Sequence, residues 1–395
     1  MSNTLNADPP APETTVADHR TGTVLRGDEN LDYPFEDIPE GDKVVEVADG
    51  IIWARIPLPW SLDHINVYLL DEGDGWTLVD TGSNGKRGKA VWAQLEANVL
   101  DGKPIKHVVA THMHPDHLGL AGWLVERHGA RFSMTQTEYL LALRLWMSAS
   151  EEFPQGELDY LFRAGVPRSF EAKIREAGFG NFKRGVHELP FAYERMDDGS
   201  IVQMGGRSWR VVIGRGHSPE HACLQCLDEP IFIAGDQILP QITSNVSVYA
   251  REPMANPLAH WITSLDRMRA IEGDPLVLPS HGRVFKGLHK RLDSLIDSHA
   301  RKLVTLHEWC SEARTPVETF PALFKRKITG FDFFMALGEA VAHLHLLESI
   351  DLLKRDFDGE HYRFTASGDV SNVDILEQAK KLPGIMLRPL SGLPV

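Results

Sequence analysis

Cysteine is scarce in this sequence: Cys223, Cys226 and Cys310 are the only three in 395 residues. An odd, small count cannot build a disulfide framework and fits a reducing compartment. Long apolar runs are missing too, with no stretch of 18 apolar residues, so nothing reads as a membrane-spanning helix. The first residues lack the basic start and apolar stretch of a secretory signal, which makes a cytoplasmic location the expectation. Positive charge is short: 41 Lys and Arg against 55 Asp and Glu give a formal charge of −14. That balance disfavours a nonspecific grip on nucleic acid, because phosphate binding rests on neutralisation by Lys and Arg. No internal repeat of fixed period is present, which excludes solenoids and propellers.

What is present is a globular composition, 43% hydrophobic and 24% charged. The length exceeds what one core usually fills, so a large domain with a smaller appendage is expected. Residues 1–42, rich in Pro, Thr, Asp and Glu, read as a flexible arm. From Lys43 onward short apolar runs follow one another with turn punctuation: Val44 to Val47, Ile51 to Ile56, Asn66 to Leu70 and Trp76 to Asp80. Gly73, Asp74 and Gly75 supply a hairpin turn between the last two. A helix over Gly88 to Asn98 and a buried strand over Ile105 to Ala110 make a crossover unit. A further helix runs from Leu118 to His128, closed by Gly129.

Residues 135–183 are helix-like, with apolar positions at Tyr139, Leu140, Leu143, Trp146 and Met147, and interrupt the strand pattern. They read as a lid beside a site; the alternative is ordinary helices covering the outside of a sheet. Strands resume at Trp209 to Ile213, Ala222 to Leu227, Pro230 to Ala234 and Leu276 to Leu278. Residues 289–395 are helical almost to Leu353, and a hairpin follows that turns at Asp358-Gly359, the pattern of a small winged-helix-like appendage.

Thr111-His112-Met113-His114-Pro115-Asp116-His117 packs three imidazoles and a carboxylate into six positions at the end of a buried strand. Imidazole nitrogen and carboxylate oxygen suit zinc, iron or manganese. Pro115 disfavours helix for the residue before it, so the cluster is expected on a loop. Three more fragments sit at strand ends, each pairing a ligand-type residue with glycine: Gly216-His217, Gly235-Asp236 and His281-Gly282. Glycine beside a ligand lets backbone approach closely. Cys223 and Cys226 fall in one strand with no second pair, which points to a buried structural role. His343 and His345 alternate with leucines on different faces of a helix, so joint metal binding is implausible.

These residues resemble the metallo-β-lactamase superfamily, with its His-x-His-x-Asp-His signature and a distant His, Asp and His. The likeness covers about Lys43 to Leu288, and all seven ligand positions match. It implies an α/β fold, an αββα sandwich over residues 43–288 with the helical insertion, and a site at one edge. It also implies two divalent metal ions, zinc favoured. His112, His114 and His217 would bind the first, Asp116, His117 and His281 the second, and Asp236 would bridge. Asp80 resembles the aspartate that orients a ligand histidine through its other ring nitrogen, and Asp116 would double as orienter or proton acceptor for the attacking water. Two such cations bring hydroxide within reach at neutral pH and polarise the substrate.

The tail after Gly338 resembles a branch holding glyoxalase-II-like thioesterases and a lactamase-like endoribonuclease. Hydrolysis of a thioester or related acyl ester is the leading expectation, with a small-molecule acyl substrate and a homodimer compatible with it. Trp146, Tyr249 and Arg283 are candidate substrate contacts, though Arg283 serves equally as a structural partner. The rivals are a metal-dependent endoribonuclease or phosphodiesterase, a lactonase, and a non-catalytic protein whose metals only stabilise it. Lys325-Arg326-Lys327 is the one basic run of the tail, and Asp351, Asp356, Asp358 and Glu360 surround the wing, which argues against nucleic acid.

Overall fold

The structure is a computed structural model that describes residues 31–382 apart from 150, 151, 180, 329, 331, 371 and 372. Its first half opens as an antiparallel meander, β1 (Val45–Ala48), β2 (Ile51–Pro57), β3 (His64–Asp71) and β4 (Trp76–Val79). The pattern then changes to crossovers. Helix α1 (Lys86–Asn98) returns the chain to β5 (Ile105–Val109), which runs parallel to β4. Helices α2 (Pro115–Leu118) and α3 (Ala121–His128) lead to β6 (Arg131–Thr135), parallel to β5. The insertion follows as α4 (Gln136–Met147), α5 (Gln155–Arg163), α6 (Glu171–Ala177) and α7 (Asn181–Gly185) before β7 (Glu194–Met196) closes a seven-stranded sheet in sequence order.

The second half is a five-stranded sheet of β8 (Ile201–Met204), β9 (Arg207–Gly214), β10 (His221–Cys226), β11 (Ile231–Gly235) and β12 (Leu276–Pro279). Helix α8 (Pro257–Met268) makes the crossover between the parallel strands β11 and β12. Beyond it come α9 (Leu288–Trp309), α10 (Phe320–Leu323), α11 (Asp332–Ser349), the hairpin β13 (Leu353–Phe357) and β14 (Tyr362–Ala366), and α12 (Ile375–Lys380).

Strand alternation explains the layers. On β3, Tyr68 and Leu70 face a core shared by the two sheets, whereas Ile65, Val67 and Leu69 face outward onto helices. Both faces are buried, so the strand reads as a continuous apolar run rather than an alternating one. The inter-sheet core joins Trp53, Tyr68, Val79 and Val109 to Trp209, Val211, Leu224, Ile233 and Leu278. Outside the first sheet Trp92, Leu95, Leu124 and Tyr139 form one helical layer, and outside the second Leu265, Leu292, Leu295 and Leu344 form the other. This is the αββα sandwich expected from the resemblance.

Three expectations are modified. The segment from residue 31 to 42 is not a loose arm: Asp32 and Lys286 exchange backbone hydrogen bonds, and Leu31, Tyr33 and Phe35 pack on the cores. Residues 1–30 lie outside the described residues. The tail has the expected helices and hairpin but no core of its own. Leu292, Leu344 and Phe364 share one apolar cluster with Phe232, Ala234 and Val277 of the second sheet. The insertion divides between layers, with Leu143 and Trp146 of α4 on the first and Leu158, Leu161 and Phe162 of α5 on the second. Strands β6, β7 and β8 and helix α8 had no clear sequence signal.

Candidate metal centre

The site forms where strands of both sheets end. Pro115 takes the first position of α2, where its missing N–H costs nothing and its fixed φ suits the helix. His114 therefore caps that helix, and Asp116 and His117 ride on its single turn rather than on an open loop. His112 lies just after β5, His217 after β9, Asp236 after β11 and His281 after β12. The glycines beside them are required: Gly216, Gly235 and Gly282 all have positive φ. A Cβ on Gly235 would lie 2.3 Å from the His221 ring.

Three imidazole nitrogens converge. His112 Nε2 lies 2.8 Å from His114 Nδ1 and 3.1 Å from His217 Nε2, and His114 Nδ1 is 3.0 Å from His217 Nε2. His217 donates its Nδ1 hydrogen to the Asn245 carbonyl at 2.7 Å, so its Nε2 presents a lone pair. Asp236 Oδ2 is 3.3 Å from His217 Nε2 and 3.5 Å from His117 Nε2, while Oδ1 is 3.3 Å from His281 Nε2. Asp116 Oδ2 stands 3.4 Å from His281 Nε2 and 3.7 Å from His117 Nε2. The donors fall into two groups, His112, His114, His217 and Asp236, and Asp116, His117 and His281, each with its ligand atoms within 4.8 Å of one another. Asp236 reaches across both.

Outer partners fix the rings of His117, His217 and His281. Asp80 ends β4 at φ 61°, a left-handed conformation that Asp tolerates better than most residues. Its carboxylate accepts from Thr111 N at 2.8 Å and from Thr111 Oγ1, and holds His117 Nδ1 at 2.8 Å, which turns His117 Nε2 inward. Asp80 thus acts through His117, as a positioning residue rather than a reacting one. His281 donates Nδ1 to the His64 carbonyl at 2.7 Å, and His221 Nε2 accepts from Asp236 N at 3.0 Å.

Metal ions fit this arrangement. His117 Nε2, His281 Nε2 and Asp236 Oδ1 are buried and find no hydrogen-bond partner in the protein, yet all three face the same space. Burial opposes charge on His117 and His281, but Asp236 with the neighbouring carboxylates holds His117 well above its ordinary value and His281 at about 9. Burial and the adjacent imidazoles push His112 down. Burial also works against the charge of Asp116, but His117 and His281 hold its carboxyl at about 2. The carboxylates therefore demand positive charge at the centre, and divalent cations supply it while the imidazoles stay neutral.

Of the other candidates, Trp146 donates Nε1 to the Val186 carbonyl at 3.3 Å beneath Lys183 Nζ, 3.9 Å from its ring. Tyr249 is partly exposed under the Arg251 guanidinium. Arg283 is committed to the Phe35 carbonyl and the Tyr33 ring, which is a structural use. None of the three is drawn into the ligand cluster by a described contact. Glu138 escaped sequence reasoning because a lone acid in the first turn of a helix reads as an ordinary solvated residue. It is wholly buried, accepting from Met113 N at 3.0 Å and Glu220 N at 2.7 Å, and so staples the two loops that carry the first group of histidines. Asn66 escaped likewise; it reaches Pro279 O at 2.7 Å and Gly282 O at 3.1 Å from β3 and steadies the His281 turn. Cys223 and Cys226 are buried and free, and His343 and His345 are buried with separate partners.

Comparisons with known proteins follow the geometry. Residues 60–281 match the family model for the metallo-beta-lactamase superfamily, and 303–367 match one for a metallo-beta-lactamase-like C-terminal domain. A crystal structure of a beta-lactamase domain protein from Burkholderia ambifaria is 37% identical with a TM-score of 0.80, covering 86% of this chain and 99% of that one. The probable metallo-hydrolase YqjP of Bacillus subtilis is 25% identical over 330 residues, 80% of this chain and 98% of that protein. An atrochrysone carboxyl ACP thioesterase of Aspergillus fumigatus is 25% identical over 289 residues, 71% of each. A family model spanning more than half of the sequence, laid over a ligand set that is complete in space, means that this chain belongs to the metallo-beta-lactamase superfamily.

Proposed function

We propose that this metal-dependent hydrolase cleaves a thioester or related acyl ester, with two zinc ions as its resident metals. The carrying observation is the complete seven-residue ligand set, in which Asp236 spans both groups and each outer nitrogen of His117, His217 and His281 is tied back. Such cations supply Lewis-acid activation of water and of the acyl carbonyl. The residues do the rest. Asp116, kept ionised by its histidine neighbours, offers Oδ2 to orient the attacking water and take its proton. Asp80 holds His117 Nδ1 at 2.8 Å, so Nε2 is the nitrogen this ring would offer to a metal.

The thioesterase named among the relatives supports the acyl choice over phosphodiester cleavage, and so does the hairpin. Asp358 at its turn is engaged by Arg363, and Arg326 of the basic run pairs with Asp332 at 2.5 Å, so the cations beside the hairpin are partly neutralised by carboxylates of the chain itself. Steady-state assay of the zinc-loaded protein against acyl thioesters, lactones and single-stranded RNA is the test. Thioester turnover that disappears on chelation and returns with zinc is expected; RNA cleavage with no thioester or ester turnover overturns the proposal.

A further inference from the structure

The segment of residues 237–249 runs along the edge of the metal centre and touches three ligand positions. Ser244 donates to the Asp236 carbonyl, Pro240 lies against Gly282, where a Cβ would be 2.9 Å away, and Asn245 O receives His217 Nδ1 at 2.7 Å. Its backbone is pinned from behind. Buried Arg291 of α9 donates to Leu239 O at 2.6 Å and to Ile242 O at 2.8 Å. Helix α11 fixes the other end: Val248 N reaches Gly338 O at 3.1 Å, and Ser247 Oγ and Asn245 Nδ2 reach Met335 O at 3.3 and 3.5 Å. A Cβ on Gly338 would sit 2.7 Å from Ser247, so strap and helix lie flush.

Against this fixed backbone three large apolar side chains remain in solvent, Ile242 at 44%, Phe334 at 43% and Met335 at 40% exposure. Ile242 precedes Asn245 by three residues, and Met335, next to Phe334, accepts from Asn245 Nδ2 on its carbonyl at 3.5 Å, while the Asn245 carbonyl holds His217 of the first ligand group. Apolar surface left open beside polar ligands is what an amphiphilic substrate requires, a polar reacting end and an apolar body. We infer that Ile242, Phe334 and Met335 form the seat for an unbranched or aryl apolar acyl chain, and that the C-terminal helix α11 thereby sets chain preference. This rests on the acyl-ester reading above.

A methylene moved fully out of water gains about fourfold in kcat/KM, so partial burial on the seat gives roughly twofold per methylene. The experiment uses the zinc-loaded full chain with N-acetylcysteamine thioesters from acetyl to octanoyl. In the wild type kcat/KM rises with length. In Ile242→Ser/Met335→Ser the rise flattens, with a loss near tenfold at octanoyl that shrinks steadily toward acetyl. Leu227→Ser, an equally exposed apolar side chain on the far turn between β10 and β11, keeps the wild-type slope. An unchanged slope in the double variant overturns the seat. Calorimetric titration with octanoate and acetate separates the two ideas. Octanoate binding that weakens in the double variant, with no thioester turnover in the wild type, keeps the seat and rejects the reaction. Equal, weak binding of both acids by the wild type rejects the seat.

Discussion

Replacing Glu138 by alanine removes the acceptor shared by two ligand loops. Glu138 is buried completely, and burial pushes its carboxyl upward in pKa while the Glu220 and Met113 amides favour the ionised form. Its loss leaves the buried N–H of Met113 and the part-buried N–H of Glu220 without the partners at 3.0 and 2.7 Å. Each orphaned donor costs about 1–3 kcal/mol, so a destabilisation of roughly 2–6 kcal/mol is expected. Met113 separates His112 from His114, and Glu220 follows His217 by three residues, so the same change loosens the three nitrogens that now lie 2.8 to 3.1 Å apart. Metal affinity should drop about 10–100-fold, the usual price of a lost outer partner. Glu138→Gln keeps one carbonyl acceptor and turns an amide N–H toward the other backbone donor, so it should fall between wild type and alanine. Urea denaturation of the metal-free protein reads the stability term, and competition with a chromophoric chelator reads the affinity. A Glu138→Ala protein with wild-type stability and wild-type affinity would refute the stapling argument.

Asp236→Ala removes the carboxylate that reaches both ligand groups; metal content should fall from two per chain to one or fewer, with activity down at least ~100-fold, measured by elemental analysis beside turnover. His343 and His345 are buried with partners for their neutral forms, and burial lowers them to about 4 and about 3 from an ordinary 6.5. Their depressed values mean that the unfolded chain takes up protons first. The stability they contribute is whole above pH 6.5 and is lost as pH falls toward 4, by up to ~3 kcal/mol for His343. Denaturation of the metal-free protein at pH 7.5 and 4.5 checks this, and equal midpoints would contradict it. Trp146→Ala should cost about 2 kcal/mol through lost packing and the bond to Val186 O, with acyl-chain preference unchanged; a shifted preference at unchanged thermal stability would return α4 to the substrate pocket.

The sequence alone determined the chemistry of the centre. Seven ligand-type residues at strand ends, four of them within six positions and three beside glycine, have few structural explanations, and the two-sided apolar strands that deliver them are visible as continuous runs. The family resemblance carried by those residues implied the layer order, and the crossover pattern agreed with it. The sequence could not say where the helical insertion and the tail would pack. Amphipathic periodicity shows that a helix has an apolar face but not which surface that face will cover, so Trp146 read as lid when it belongs to the outer layer of the first sheet. Nor could it show that α9 and α11 share a core with the second sheet, since that contact joins residues as distant as Phe232 and Leu344. The positioning residues were hidden for the same reason. Glu138, Asn66 and Asn245 are ordinary polar residues in sequence, and only the convergence of both sheets at one edge brings their atoms within hydrogen-bonding reach of the ligand turns.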